Sequence, residues 1–331
     1  MARIVFGIGT SHTPQVNTTP DWWEDHAGRD RRNPQLLGRD GEMHNYDEVL
    51  AVKEWNADKS RLTPDVWNAL HARTQSAIAE LSRQLLEVSP DVVLVIGDDQ
   101  EEFFHDDGTP TFAIYRGDTV DDFAPDEERQ EAMAAGLRAA LWATHSPTVE
   151  SYPVPSKLAL HIVEQLVLDE FDVTQMVSQP KDRSLGHAFT FARRRLMGDK
   201  VIPLLPVLIN TYYPPNQPSP RRCYLFGRAL RRAVESYPED LTVAVVASGG
   251  LSHFVIDEEL DRRLLNGLKN RDFESLATIP RKFMRSGTSE GLNWIAAGGM
   301  LEGLSMDLVD YVPGYRSVAG TGVGMAFAVW R

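Results

Sequence analysis

Val93–Phe104 reads VLVIGDDQEEFF, and the fold is decided by how that stretch is taken. It completes an apolar run, DVVLVIG over 91–97, of the kind a strand covered on both faces requires. At Gly97 the run stops, and two aspartates, a glutamine and two glutamates follow. Taken alone, GDDQEE reads as a solvated loop. In α/β sheets, however, ligands bind outside the carboxyl ends of strands. The residues that follow each strand are therefore where function is to be sought.

Working outward, short β-rich runs alternate with helical stretches. RIVFGIG (3–9), PTFAIY (110–115), VIPLLPVLI (201–209), LTVAVVAS (241–248) and GMAFAVW (324–330) read as further strands. Residues 63–88 read as a helix, with Thr63 as N-cap, Pro64 at the first helical position, and Val66, Leu70, Ile78, Leu81 and Leu85 at helical spacing. Residues 126–145 and 220–237 read the same way. The expectation is one α/β domain over 1–331, a mixed and mostly parallel sheet with helices on both faces. Residues 13–62 resist that scheme. They hold prolines, Trp22, Trp23, Trp55 and the charge run GRDRRN. So long a connection predicts a lid or binding loop.

Bulk properties narrow the function. A formal net charge of -13 argues against nucleic acid and against anionic membrane surfaces, which both need a basic patch. No apolar run is long enough to span a bilayer. The opening MARIVFGIG lacks a signal-peptide pattern and reads as a first buried strand. A single cysteine, Cys223, rules out an internal disulfide and fits a reducing cytoplasm.

At the strand ends, GTSHTP supplies His12, SGGLSHF supplies His253 after two glycines, and SLGHAF supplies His187 before a helix. RSGTSEGLNW places Glu290 in the first turn of a helix, where Thr288 or Ser289 could cap. Each has an ordinary reading: a hydrogen-bonded structural histidine, or an acid that serves the helix dipole. Their coincidence points to metal chemistry, because imidazoles with one carboxylate and open positions suit a facial-triad Fe(II) site.

Together, GTSHTP, the long stretch from Val201 to His253 and SGTSEG resemble the type II (LigB-type) extradiol ring-cleavage dioxygenases, in the pattern of the protocatechuate 4,5-dioxygenase catalytic (beta) subunit. The likeness runs over most of 1–14 and 91–331 and leaves 15–90 as an insertion. It implies Fe(II) held by His12 and Glu290, with His253 as acid and base and His187 in the active site. The family's second iron histidine lies in an NDH turn that falls here on Asp98, Asp99 and Gln100. Glutamine offers only a carbonyl oxygen, harder and weaker toward iron than imidazole.

Three outcomes stay open. Gln100 binds directly or through water; another group substitutes (His44, His105, Asp98, Asp99 or Glu101); or the metal is weak, different or absent. Asp99 is also a candidate to orient a ligand from behind. Arg183 and Arg285 are candidate anchors for a substrate carboxylate, and Tyr212 and Tyr213 are candidate pocket walls.

The resemblance implies a small catechol-type aromatic substrate and O2. The 15–90 insertion is expected to cover the site in cis, which gives a homodimer that needs no small subunit. Two other classes compete: a metal-assisted hydrolase or lyase that reuses the pocket, favoured by the missing histidine, and a non-enzymatic metal-binding relative.

Overall fold

The structure is a computed structural model that describes residues 1–105 and 107–331. Eight strands form its main sheet: β1 (Arg3–Thr10), β2 (Val92–Gly97), β3 (Phe112–Tyr115), β4 (Thr174–Met176), β5 (Leu204–Ile209), β6 (Thr242–Ser248), β7 (Met306–Tyr315) and β8 (Gly322–Trp330). Their order across the sheet is β7-β8-β1-β6-β2-β5-β3-β4. The central neighbours β1, β6, β2 and β5 pair in parallel. β8 joins β1, and β3 joins β5, in the antiparallel sense. The sheet is mixed and mostly parallel, as expected.

Alternation within the strands explains why both faces are covered. Leu94, Ile96, Leu205, Val207 and Val245 share one core with helices α5 (Ser156–Leu168), α6 (Pro220–Glu235), α7 (Glu258–Asn270) and α8 (Gly291–Met300). The intervening Val93, Val95, Leu208 and Val246 share the other core with Ile78, Leu81 and Leu85 of α2 (Pro64–Val88). Thr63 caps α2 by accepting the Val66 N–H, and Ser219 caps α6 from Arg222. α6 and α8 cross very closely. A Cβ on Gly227 would run into the Ala296 carbonyl, so only glycine permits that approach.

Residues 126–145 do not form one helix. They split into α3 (Glu127–Ala132) and α4 (Ala135–Ala140), with Met133 and Ala134 extended between them. Tertiary structure overrides propensity here. The Gly136 N–H donates to Asp25 Oδ2 at 3.0 Å, which anchors the start of α4 against a neighbouring helix.

That neighbour is α1 (Trp23–Arg32), within the unusual 13–62 segment. The segment is strapped down. Trp23 is fully buried and lies 5.7 Å from the ring of Trp67 in α2. The Arg39 guanidinium donates to the Ile256 carbonyl at 2.8 Å. Asp30 and Arg316 form a buried bidentate ion pair at 2.6 and 2.8 Å. Among the described residues no helix is long and apolar enough to cross a membrane.

Candidate metal and substrate site

Parallel pairing brings the central strands to a common edge. Thr10 lies opposite Ser248, Ala247 opposite Ile96, and Gly97 opposite Leu208. The chain leaves these ends through His12, Asp98–Gln100, Tyr212 and the turn that carries His253. His12, Gln100, Tyr212 and His253 border a cavity of about 260 Å³.

His12 has its role set by its neighbours. Ser248 Oγ donates to the Ala188 carbonyl at 2.6 Å, so it is free to accept from His12 Nδ1 at 2.9 Å. The ring proton is thus held on Nδ1. Nε2 keeps its lone pair, buried and with no hydrogen-bond partner among the described residues. Burial lowers the His12 pKa to about 4, so the imidazole is neutral at pH 7. Glu290 Oε2 lies 3.6 Å from that nitrogen.

Glu290 belongs to a short 3-10 turn, Thr288–Glu290, immediately before α8. Gly287 begins the turn at a φ of 80°, a left-handed conformation that glycine adopts without strain. Thr288 does not cap the helix. Its hydroxyl accepts the His253 N–H at 2.9 Å and donates to the His253 carbonyl at 2.6 Å, which locks the two turns together. Burial pushes against ionisation of Glu290, yet His253, His12 and the Gly250 N–H hold its pKa down at about 2.

Asp98 completes the cluster. Ligand atoms of His12, Asp98 and Glu290 all lie within 4.8 Å of one another. Asn293 of α8 donates to Asp98 Oδ1 at 3.0 Å and to the Ser248 carbonyl at 2.9 Å. Burial, then the Glu290 carboxylate, raise the Asp98 pKa to about 7. A divalent cation suits this donor set of one imidazole nitrogen and hard carboxylate oxygens. It would also relieve the repulsion between the two buried acids.

His253 and His187 flank the cluster. His253 Nδ1 donates to the Leu251 carbonyl at 2.7 Å, leaving Nε2 3.4 Å from Glu290 Oε1. Burial works against its protonation, but Glu290 raises its pKa overall. The His187 ring stands edge-on to that of His12, with centroids 4.6 Å apart. Its Nδ1 meets Glu102 Oε2 at 2.8 Å, and its backbone N–H donates to Glu102 Oε1. Against the cost of burial, Glu102 lifts the His187 pKa to about 10. Behind Glu102 stands His145, held at Nδ1 by Asp122. Glu102, His145, Ser248 and Asn293 were not singled out in the sequence. Ser248 had a signal as the last residue of a strand, and Glu102 as part of the acidic run after β2.

The acidic run divides by position. Asp98, Gln100 and Glu102 face the site, whereas Asp99 and Glu101 line a second cavity with His105 and Tyr213. Gln100 borders the cluster, where its amide donates to Asp98 Oδ2 at 3.1 Å and Glu290 Oε1 at 3.4 Å. Among the described residues, the carboxylate that clusters with His12 and Glu290 is Asp98.

Other expected residues lie elsewhere. His44 is engaged by Asp40 at 3.0 Å and stands edge-on to Trp55, and it does not line the cavity of His12 and Glu290. Asp99 orients no metal-site donor, since both its oxygens accept backbone N–H groups, from Phe103 and Phe104. Arg183 is paired with Asp107 at 2.7 Å, and Arg285 lines a separate surface cavity. Neither borders the main cavity, whereas Tyr212 does.

The remaining walls come from the 13–62 segment and its contacts: Gln15, His26 and Arg29, with Leu137 and Leu141 near α4 and Arg316 after β7.

The family model described as the catalytic LigB subunit of aromatic ring-opening dioxygenase matches residues 64–326. Gallate dioxygenase of Pseudomonas putida is 36% identical over 157 residues, 44% of this chain and 45% of that protein. A 2,3-dihydroxyphenylpropionate/2,3-dihydroxicinnamic acid 1,2-dioxygenase of Dechloromonas aromatica is 26% identical over 188 residues, 56% of this chain and 50% of that protein. The chain spans about half the length of these curated relatives. The matched region begins at α2, which packs in the body of the fold.

Proposed function

The chain belongs to the LigB family of catalytic subunits of aromatic ring-opening dioxygenases, and from that premise we propose that it opens the ring of a catechol-type aromatic with O2 by extradiol cleavage. The observation that carries the proposal is the buried, partnerless Nε2 of His12 facing the Glu290 and Asp98 carboxylates. His12, Glu290 and Asp98 would hold Fe(II), with Gln100 beside them; when bound, the ion lowers the pKa of a coordinated diol and brings it together with O2.

The chain's own groups supply the proton handling. His253 keeps its proton on Nδ1, against the Leu251 carbonyl, and presents Nε2 to the cavity. That nitrogen takes a phenolic proton and later returns it to a departing oxygen, a task that suits an imidazole near neutral pH. Glu290 stabilises the imidazolium formed in between. His187, kept cationic by Glu102, donates a hydrogen bond to an oxygen on which negative charge develops. The 13–62 segment closes the cavity and limits the entry of water.

A compound of the protocatechuate or gallate type fits a cavity with room for one ring. On this reading the segment before residue 64 does the covering in cis, so the chain acts as a homodimer without a small subunit. The buried free thiol of Cys223 is in keeping with the cytoplasm.

The test is O2 uptake by the purified chain, loaded with Fe(II) under anaerobic conditions and given protocatechuate or gallate. Stoichiometric O2 consumption with a ring-opened product is expected, a semialdehyde in the case of protocatechuate. Turnover without O2 would instead mark a hydrolase or lyase. Activity only after a second protein is added would overturn closure in cis.

A further inference from the structure

Arg29 projects from α1 into the main cavity and is half-buried there. Among the described residues its guanidinium has no acid within ion-pair distance and no hydrogen-bonded acceptor. The nearby acids are already engaged. Asp30 is held by Arg316 in the bidentate pair, and Asp25 accepts the Gly136 N–H. Arg316, the other cation of the cavity wall, is spent on Asp30 and on Gln15 Oε1 at 2.9 Å. A guanidinium withdrawn into a walled cavity without an anion is costly, and its planar fork matches a carboxylate.

Its position relative to the metal cluster can be read through Tyr212, which also lines the cavity. Arg29, Tyr212 and the cluster's His12 and Glu290 all line this one cavity. The floor offers acids that a cation would neutralise, whereas this wall offers a positive charge that Asp25 and Asp30 offset without forming an ion pair with it.

We propose that Arg29 is a substrate-specificity residue that anchors the carboxylate of an aromatic acid whose ring extends toward the His12–Asp98–Glu290 cluster. This rests on the ring-cleavage reading for the identity of the reaction, and adds which residue holds the substrate's carboxylate. Arg29 grips its carboxylate bidentately and sets which ring edge faces His253. Arg183, paired with Asp107, and Arg285, which lines an adjoining cavity that shares Tyr212 and Phe254 with this one, are not among the residues that line the main cavity.

Binding tests it without turnover. Calorimetric titration of the protein as purified, under anaerobic conditions, compares protocatechuate, its uncharged methyl ester and plain benzoate, which has a carboxylate but no diol. Arg29→Gln is expected to weaken protocatechuate and benzoate about 10- to 100-fold, as loss of a charged hydrogen-bonded pair does. The ester should change less than about threefold, and Arg29→Lys should recover part of the affinity. An unchanged melting temperature in both variants shows that the fold is intact.

Equal weakening of acid and ester, no weakening of the acid, or failure of the wild type to bind benzoate overturns the anchor. Benzoate binding that depends on Arg29 in a protein that consumes no O2 would keep the anchor and sink the ring-cleavage reading, so the two fail separately.

Discussion

The cavity has two walls of different construction. Its floor is made from the ends of regular elements: His12 after β1, Asp98 after β2, His253 after β6 and Glu290 at the start of α8. The opposite wall is built from an irregular segment, α1 and the loop that holds Arg316, tied by the Asp30–Arg316 pair. The floor carries groups that suit a cation and proton transfer. The other wall carries apolar side chains, one paired arginine and one unpaired. On the proposed reading, chemistry rests on the sheet and recognition on a segment that could be exchanged without rebuilding the sheet.

The comparison can be broken most directly at the floor. His12→Ala removes the nitrogen that faces Glu290, and metal content after dialysis should fall to background, an affinity loss of at least about 100-fold. O2 uptake should vanish with it. Retention of metal by the variant would show that the floor is not the binding site. His253→Asn separates proton transfer from binding. kcat should drop about 10²- to 10⁴-fold while metal content is unchanged.

At the other wall the largest effect is on stability. Asp30→Ala leaves Arg316 buried without its anion, and urea unfolding should show a loss of about 3–5 kcal/mol. A smaller effect comes from pH. Burial, reinforced by the cations of Arg316 and Arg29, lowers the His26 pKa from 6.5 to about 3. The unfolded chain therefore takes up a proton below pH 6.5 that the folded chain refuses, and stability falls as the pH falls. About 2 kcal/mol should be lost from His26 between pH 6.5 and pH 5, less in His26→Gln, as read by urea midpoints across that range. Gln100→His sharpens the floor by adding an imidazole beside Asp98. Fe(II) should bind about tenfold more tightly, and an unchanged affinity would mean that position 100 does not reach the ion.

The two walls also differ in how far the sequence disclosed them. Apolar runs and caps gave β1, β2, β5, β6, β8, α2 and α6 nearly to their ends, because buried parallel strands leave little room for polar residues. β7 was not found. It contains Asp307, Asp310 and Pro313, which an edge strand tolerates and which disguise it. α5 carries apolar residues at helical spacing and was still passed over.

At the site, His12, His187, His253 and Glu290 were legible as histidines beside strand or helix ends and an acid in the first turn of a helix. Asp98 was only one of several candidates, since an aspartate after a strand looks like any loop acid. Its distinction is that even-numbered residues of GDDQEE turn inward, which depends on the path of the loop. Arg29 lay hidden in the charge run GRDRRN. Only the packing of α1 separates it from its exposed neighbours Arg31 and Arg32.

The floor brings positions 12, 98 and 290 within 4.8 Å of one another. A chain with a single thiol cannot cross-link itself through sulfur, but an ion shared by those side chains would do comparable work, closing two very long loops at one point. Thermal resistance would then follow the supply of free metal, and a chelator would act on this protein as a mild denaturant.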